Sequence, residues 1–159
     1  MKESTSIKIL YADDDPDDHE FFREALSRLD FKTELFVVWD GTEVMQELMV
    51  VKPDLVFLDI NMPKKCGRQS LKEIRSHKTL AGTPVIIHST AQNEEDINFT
   101  RKHGASLYVV KSCSLEAQMA VLKLVLSLYN YGCLSSTNKN DFVLSDHRKY
   151  SRNLKLDLN

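Results

Sequence analysis

The stretch Asp54-Leu55-Val56-Phe57-Leu58-Asp59-Ile60-Asn61-Met62-Pro63 constrains the chain most. Its apolar run, residues 55–58, reads as a strand buried on both faces, the kind found at the centre of a parallel sheet. The run breaks off at Asp59, and Asn61-Met62-Pro63 signals a turn directly behind it. Open α/β sheets take their ligands at the carboxyl ends of the strands, so a carboxylate at this position is a candidate for chemistry. Asp59 would serve as well to cap the following loop. The other strand ends decide between the two.

Residues 7–11 form a short apolar strand that runs into Asp13-Asp14-Asp15-Pro16-Asp17-Asp18. Asp15 followed by Pro16 is a helix start, an N-cap and then proline at the first helical position. Phe22, Ala25, Leu26 and Leu29 recur at helical spacing and give that helix one buried face. A second strand spans residues 33–38 and closes at Trp39-Asp40-Gly41, after which Thr42 is expected to cap a second helix that Pro53 stops. The central strand follows, then a third helix around residues 70–77. A fourth strand at 85–88 ends in Ser89-Thr90-Ala91, and Asn93-Glu94-Glu95-Asp96 opens a fourth helix with acids suited to its dipole. A fifth strand at 106–110 ends in Lys111, and Ser114 caps a last helix that reaches about residue 131.

Strand and helix alternate five times. Each parallel pair needs a crossover, so the pattern predicts an α/β protein with a parallel sheet and helices on both faces. Right-handed crossovers restrict it to a few doubly wound topologies.

All parallel strands deliver their carboxyl ends to one edge. Asp13 and Asp14, Asp59, Ser89 and Lys111 are therefore expected at one crevice. Carboxylates so gathered repel one another unless a hard cation sits among them. Mg2+ suits oxygen ligands and commonly takes one or two carboxylates plus a phosphate. The hydroxyl of Ser89 and the ammonium of Lys111 suit the remaining oxygens of a phosphoryl group.

With these residues in order on five separate elements, residues 5–131 resemble the receiver domain of response regulators in two-component signalling, most closely the single-domain, chemotaxis-type sort. The resemblance implies a five-stranded sheet of flavodoxin-like order 2-1-3-4-5. Position by position, Asp59 is similar to the phospho-acceptor, and Asp13 and Asp14 to the acidic pair, with Asp14 the direct metal ligand. Asn61 would give a backbone carbonyl to Mg2+. Ser89 falls at the switch hydroxyl, Lys111 at the phosphoryl-pairing lysine, and Tyr108 at the switch aromatic. Met62-Pro63 and Gly67 match the turn after the acceptor. Two departures stand out: Ser112 follows the lysine where the family usually has proline, and serine replaces threonine at 89.

The resemblance implies that Asp59 takes a phosphoryl group from a sensor histidine kinase or a phosphotransfer protein, with Mg2+ as cofactor and no separate catalytic domain. Ser89 and Tyr108 would then shift the surface of the fourth helix, fifth strand and fifth helix, which an unidentified downstream protein reads. Asn61 and Ala91, beside the water that would hydrolyse the phosphoryl group, are no general bases, so rapid self-dephosphorylation is not expected. An alternative is resemblance to haloacid-dehalogenase-type phosphatases, in which Asp13 would be the nucleophile and Asp15 the acid/base. That reading leaves Asp59 unexplained and lacks the acidic pair such enzymes carry after the lysine.

A net charge of -2 gives no reason to expect nucleic acid or an acidic membrane as partner. Neither a spanning segment nor a signal-peptide core is legible, and Cys66, Cys113 and Cys133 have no metal-ligand spacing. A cytoplasmic protein with reduced thiols is expected. The expected organisation is a receiver domain at 1–131 and a C-terminal extension at 132–159. The last helix carries a second apolar stripe, Val121, Leu124 and Leu128, which calls for a cover: a second subunit, a partner helix or the chain's own tail. In the extension, residues 133–140 read as linker, Phe142-Val143-Leu144 as an apolar segment that docks, and 147–152 as a loosely ordered, partly basic stretch. A homodimer through the face of the fourth helix, fifth strand and fifth helix, or through the tail, is the natural assembly.

Overall fold

The computed structural model describes residues 5–134 and 141–145. Its elements are β1 (Ile7–Ala12), α1 (Pro16–Ser27), β2 (Thr33–Val38), α2 (Val44–Val51), β3 (Leu55–Leu58) and α3 (Gly67–Ser76). These are followed by β4 (Val85–Ser89), α4 (Glu94–Lys102), β5 (Leu107–Val110), α5 (Leu115–Asn130) and β6 (Val143–Leu144). All strand pairs are parallel, in the order β2-β1-β3-β4-β5-β6. The five-stranded core has the order implied by the resemblance, and a sixth strand is added at its edge.

Side-chain alternation explains the two cores. Ile9 and Tyr11 of β1 join Phe57 of β3, Phe22 and Leu26 of α1, and Leu122 and Val125 of α5 on one face. Leu10 and Ala12 point the other way, into a cluster with Val56, Leu58, Leu48 of α2 and Ile74 of α3. All four residues of β3 are buried, as a central strand covered on both faces must be.

Caps set where the helices begin, and therefore where the loops before them lie. The Asp15 side chain accepts the Asp17 N–H at 2.9 Å, with Pro16 at the first helical position. Asn93 and Ser114 cap α4 and α5 in the same way. Thr42 does not cap α2. Its N–H and its hydroxyl both donate to one oxygen of Asp40, which leaves Glu43 at the N-cap without a side-chain capping bond. Asp40 wins because its carboxylate is the stronger acceptor and lies two residues back, the spacing of an Asx turn. Asp40 also pairs with Lys64 at 2.8 Å, tying the loop after β2 to the loop after β3.

The sixth strand comes from the C-terminal segment. The Tyr108 N–H donates to the Phe142 carbonyl at 2.8 Å, and Val143 and Leu144 pair with Tyr108 and Val109. Phe142 is buried in the α2–α3 core, whereas Leu144 and Leu134 join the α5 core. Leu124, in the second apolar stripe of α5, lies in that same cluster, with Val121 and Leu128 packed against it. Within this chain the stripe is thus buried at Leu124 and half-buried at Val121 and Leu128. The linker at 135–140 and the basic stretch at 147–152 lie outside the described residues.

Truncating Phe142 to alanine leaves a cavity beside Tyr108, and a buried Phe→Ala change typically costs about 3–5 kcal/mol. Because the segment lies at the sheet edge and can fray, a loss of about 2–4 kcal/mol is expected. Denaturant melts of the wild type and Phe142→Ala check it.

Candidate functional site

The backbone ladders run one residue past the strands and fix the site. The Asp59 N–H donates to the Ala12 carbonyl at 2.9 Å, setting Asp59 beside Asp13. The Lys111 N–H donates to the Ser89 carbonyl at 2.9 Å, setting those two side by side. Gly67, at the start of α3, closes over this edge. Its N–H bonds the Ile60 carbonyl, and a Cβ there would fall inside van der Waals contact of the Asp59 carbonyl. Glycine is required by that close approach.

Lys111 reaches the expected crevice and binds three carboxylates. Its Nζ lies 2.6 Å from Asp13 Oδ2, 2.7 Å from Asp18 Oδ2 and 3.2 Å from Asp59 Oδ2. Burial works against its charge, but hydrogen bonds to Asp13 and Asp18 and the negative field of Asp59 outweigh that, and its pKa is raised. Burial pushes the Asp59 carboxyl up, Lys111 pulls it down and the Asp13 charge pushes it up again, with a net rise. The other Asp59 oxygen, Oδ1, accepts the Asn61 N–H at 3.2 Å.

Asp13, Asp14 and Asp59 each offer an oxygen, all within 4.8 Å of one another. Together with Asp18 they set four carboxylates against the single ammonium of Lys111, and the imbalance fits a divalent cation with oxygen ligands. Asp13 and Asp59 are buried and Asp14 is exposed, so such an ion would be reached from solvent on the Asp14 side.

Ser89 is fully buried, and its hydroxyl accepts the Ala91 N–H at 3.2 Å. The ring of Tyr108 is also fully buried, with its hydroxyl donating to the Ala91 carbonyl at 2.7 Å. The loop after β4 is therefore held by both residues expected to act as a switch. Ser112, in the place of the usual proline, accepts the Ser114 N–H and leads directly into the α5 cap. Among the described residues there is no cis peptide bond.

Several residues at the site were not singled out by sequence reasoning. Asp18 is one. A buried polar chain behind Asp13 is another. Tyr11 donates its hydroxyl to Asp13 Oδ2 at 2.8 Å, and His88 Nδ1 lies 3.1 Å from the same hydroxyl. His88 Nε2 is 3.3 Å from Gln118 Nε2 on α5. With the Tyr11 proton given to Asp13, His88 donates from Nδ1 and accepts at Nε2, a neutral tautomer that satisfies the whole chain. Burial, with the Lys111 charge behind it, lowers the His88 pKa to about 4. The signal in the sequence was a lone histidine in an otherwise apolar strand. His19, also buried, bonds the Asp13 carbonyl through Nε2 at 2.6 Å and stacks on Trp39 at 4.0 Å.

Comparison with known proteins agrees with this geometry. Residues 9–123 match the family described as response regulator receiver domain. Response regulator Rcp1 of Synechocystis is 31% identical over 115 residues, covering 68% of this chain and 78% of Rcp1. The probable C4-dicarboxylate response regulator DctR of Bacillus subtilis is 34% identical over 116 residues, covering 73% of this chain but only 50% of DctR. Among solved structures, the phosphorylated cyanobacterial phytochrome response regulator RcpA superposes with a TM-score of 0.73 at 32% identity, covering 80% of this chain and 96% of that one. The Mn2+-bound form of Rcp1 gives 0.67 at 28% identity, covering 83% of this chain and 97% of that one. The chain belongs to the response-regulator receiver family of two-component signalling. The described residues form one sheet with its helices, and none of these helices is long and apolar enough to cross a membrane.

The buried imidazole has a consequence for stability. Above its ordinary pKa of 6.5, His88 is neutral folded or unfolded; between 6.5 and about 4 only the unfolded chain takes up the proton. Stability therefore falls as pH drops through that window. In denaturant melts from pH 7 to 4, His88→Gln is expected to lose less stability on acidification than the wild type, isolating this contribution.

Proposed function

We propose that this receiver accepts a phosphoryl group on Asp59 from a sensor histidine kinase or phosphotransfer protein. The observation that carries the reading is the Lys111 ammonium set between Asp59 and Asp13 at adjoining strand ends. An Asp59 carboxylate oxygen attacks phosphorus in line; the new P–O bond forms as the P–N bond to the donor imidazole breaks, and the nitrogen keeps the electron pair. Lys111 then donates to a phosphoryl oxygen, a charge-assisted bond in a largely water-excluded position. Ser89 supplies the hydroxyl for another oxygen, and Tyr108, bonded to the same loop, passes the change to the α4–β5–α5 face. Asp13, Asp14, Asp59 and the Asn61 backbone carbonyl would hold Mg2+, which when bound supplies neutralisation of the charge on the transferring group.

The receiver acts by presenting that face to a downstream protein or to a second copy of itself, within the cytoplasm. Lacking a general base at Asn61 or Ala91, it keeps its phosphoryl group long enough to be read. Family membership leaves the haloacid-dehalogenase-type reading of Asp13 without support.

Incubation with acetyl phosphate and Mg2+ followed by intact-mass spectrometry tests this. A single acid-stable, hydroxylamine-labile phosphoryl adduct is expected on the wild type and none on Asp59→Asn. An adduct of equal yield on Asp59→Asn would overturn the assignment.

A further inference from the structure

Three carboxylates lie within ion-pairing distance of the Lys111 ammonium. Two of these carboxylates, Asp13 and Asp59, belong to the oxygen cluster that fits a cation. The third, Asp18, does not. It comes from the first turn of α1, and its side chain is one-third exposed (33%). Its oxygen nevertheless lies 2.7 Å from the ammonium, nearer than the 3.2 Å of Asp59. In this arrangement the ammonium is held more closely by a helix carboxylate than by the residue it serves.

We propose that Asp18 is a positioning residue that competes with the phosphoryl group for Lys111 and so sets how strongly the site draws that group. The inference rests on the acceptor reading of Asp59 given above. A phosphoryl oxygen on Asp59 needs an N–H from Lys111, and its affinity depends on the net positive potential that the lysine leaves in the crevice. A fixed carboxylate against the same ammonium lowers that potential and also repels the incoming anion. Pro16 and the Asp15 cap fix the turn that places Asp18 within reach of the ammonium. The strand-end residues supply the chemistry, and α1 moderates it. A receiver with an uncharged residue at this position would hold the same Lys111 with its charge less screened.

The test uses beryllofluoride, a stable phosphoryl mimic, with saturating Mg2+ and the full chain. Its apparent affinity is read by 19F NMR for the wild type, Asp59→Asn, Asp18→Asn and Asp18→Glu. Wild-type binding that is lost in Asp59→Asn sustains the acceptor reading by itself. Given that, Asp18→Asn is expected to bind roughly three- to tenfold more tightly, the scale of one partly exposed ion pair. Asp18→Glu, which keeps the charge, is expected to stay near wild type. The gain in Asp18→Asn is also expected to shrink as salt is raised, which a merely structural role would not produce. Equal or weaker binding by Asp18→Asn overturns the proposal, as does a gain in Asp18→Glu as large as that in Asp18→Asn. A wild type that binds no beryllofluoride overturns the acceptor reading and this inference with it.

Discussion

The ammonium of Lys111 among Asp13, Asp18 and Asp59 is the interaction on which the site depends. Two of those carboxylates are buried, where like charges are costly together. The ammonium offsets the repulsion between the two carboxylates that the carboxyl ends of β1 and β3 set side by side. Lys111 arrives there only because β5 lies next to β4, and β5 is in turn flanked by β6. The register that pairs Tyr108 with Val143 therefore supports, on the neighbouring strand, the position of the lysine facing Asp59.

A second dependency runs through the α1–α5 core. Gln118, His88, Tyr11 and Asp13 form a hydrogen-bonded line from α5 through β4 and β1 to the crevice. Each such bond contributes only about 1 kcal/mol net, but an unpaired member would leave a buried polar group at a larger cost. The line therefore specifies one arrangement of rings rather than adding much stability. It orients Asp13 from behind, as Lys111 and the Asp15 N–H do from the front. His19 adds a bond to the Asp13 backbone and places the chain's single tryptophan, Trp39, at the rim.

Much of this was legible in the sequence, because it follows from local rules. Alternation of strand and helix, the Asp15-Pro16 start and the apolar run ending in Asp59 gave the sheet and the edge where Asp13, Asp59, Ser89 and Lys111 meet. What escaped reading depends on groups distant in the chain. Thr42 looked like a cap until Asp40 was seen to take both its donors. Asp18 closes an acidic run in the sequence, and only the position of a lysine 93 residues away gives it a role. His88 would pass for an odd residue in an apolar strand until Tyr11 and Gln118 are placed on either side. The apolar 142–144 segment was visible, but pairing with β5 as a strand is a matter of edge geometry that composition does not encode.

The most direct measurement is to locate the acyl phosphate by chemistry rather than by substitution. Borohydride reduction of the phosphorylated chain converts an aspartyl phosphate to homoserine, and peptide mass mapping finds the residue. Homoserine is expected at position 59 alone. Homoserine at position 13, or an intact aspartate at 59 in a fully phosphorylated sample, would contradict it.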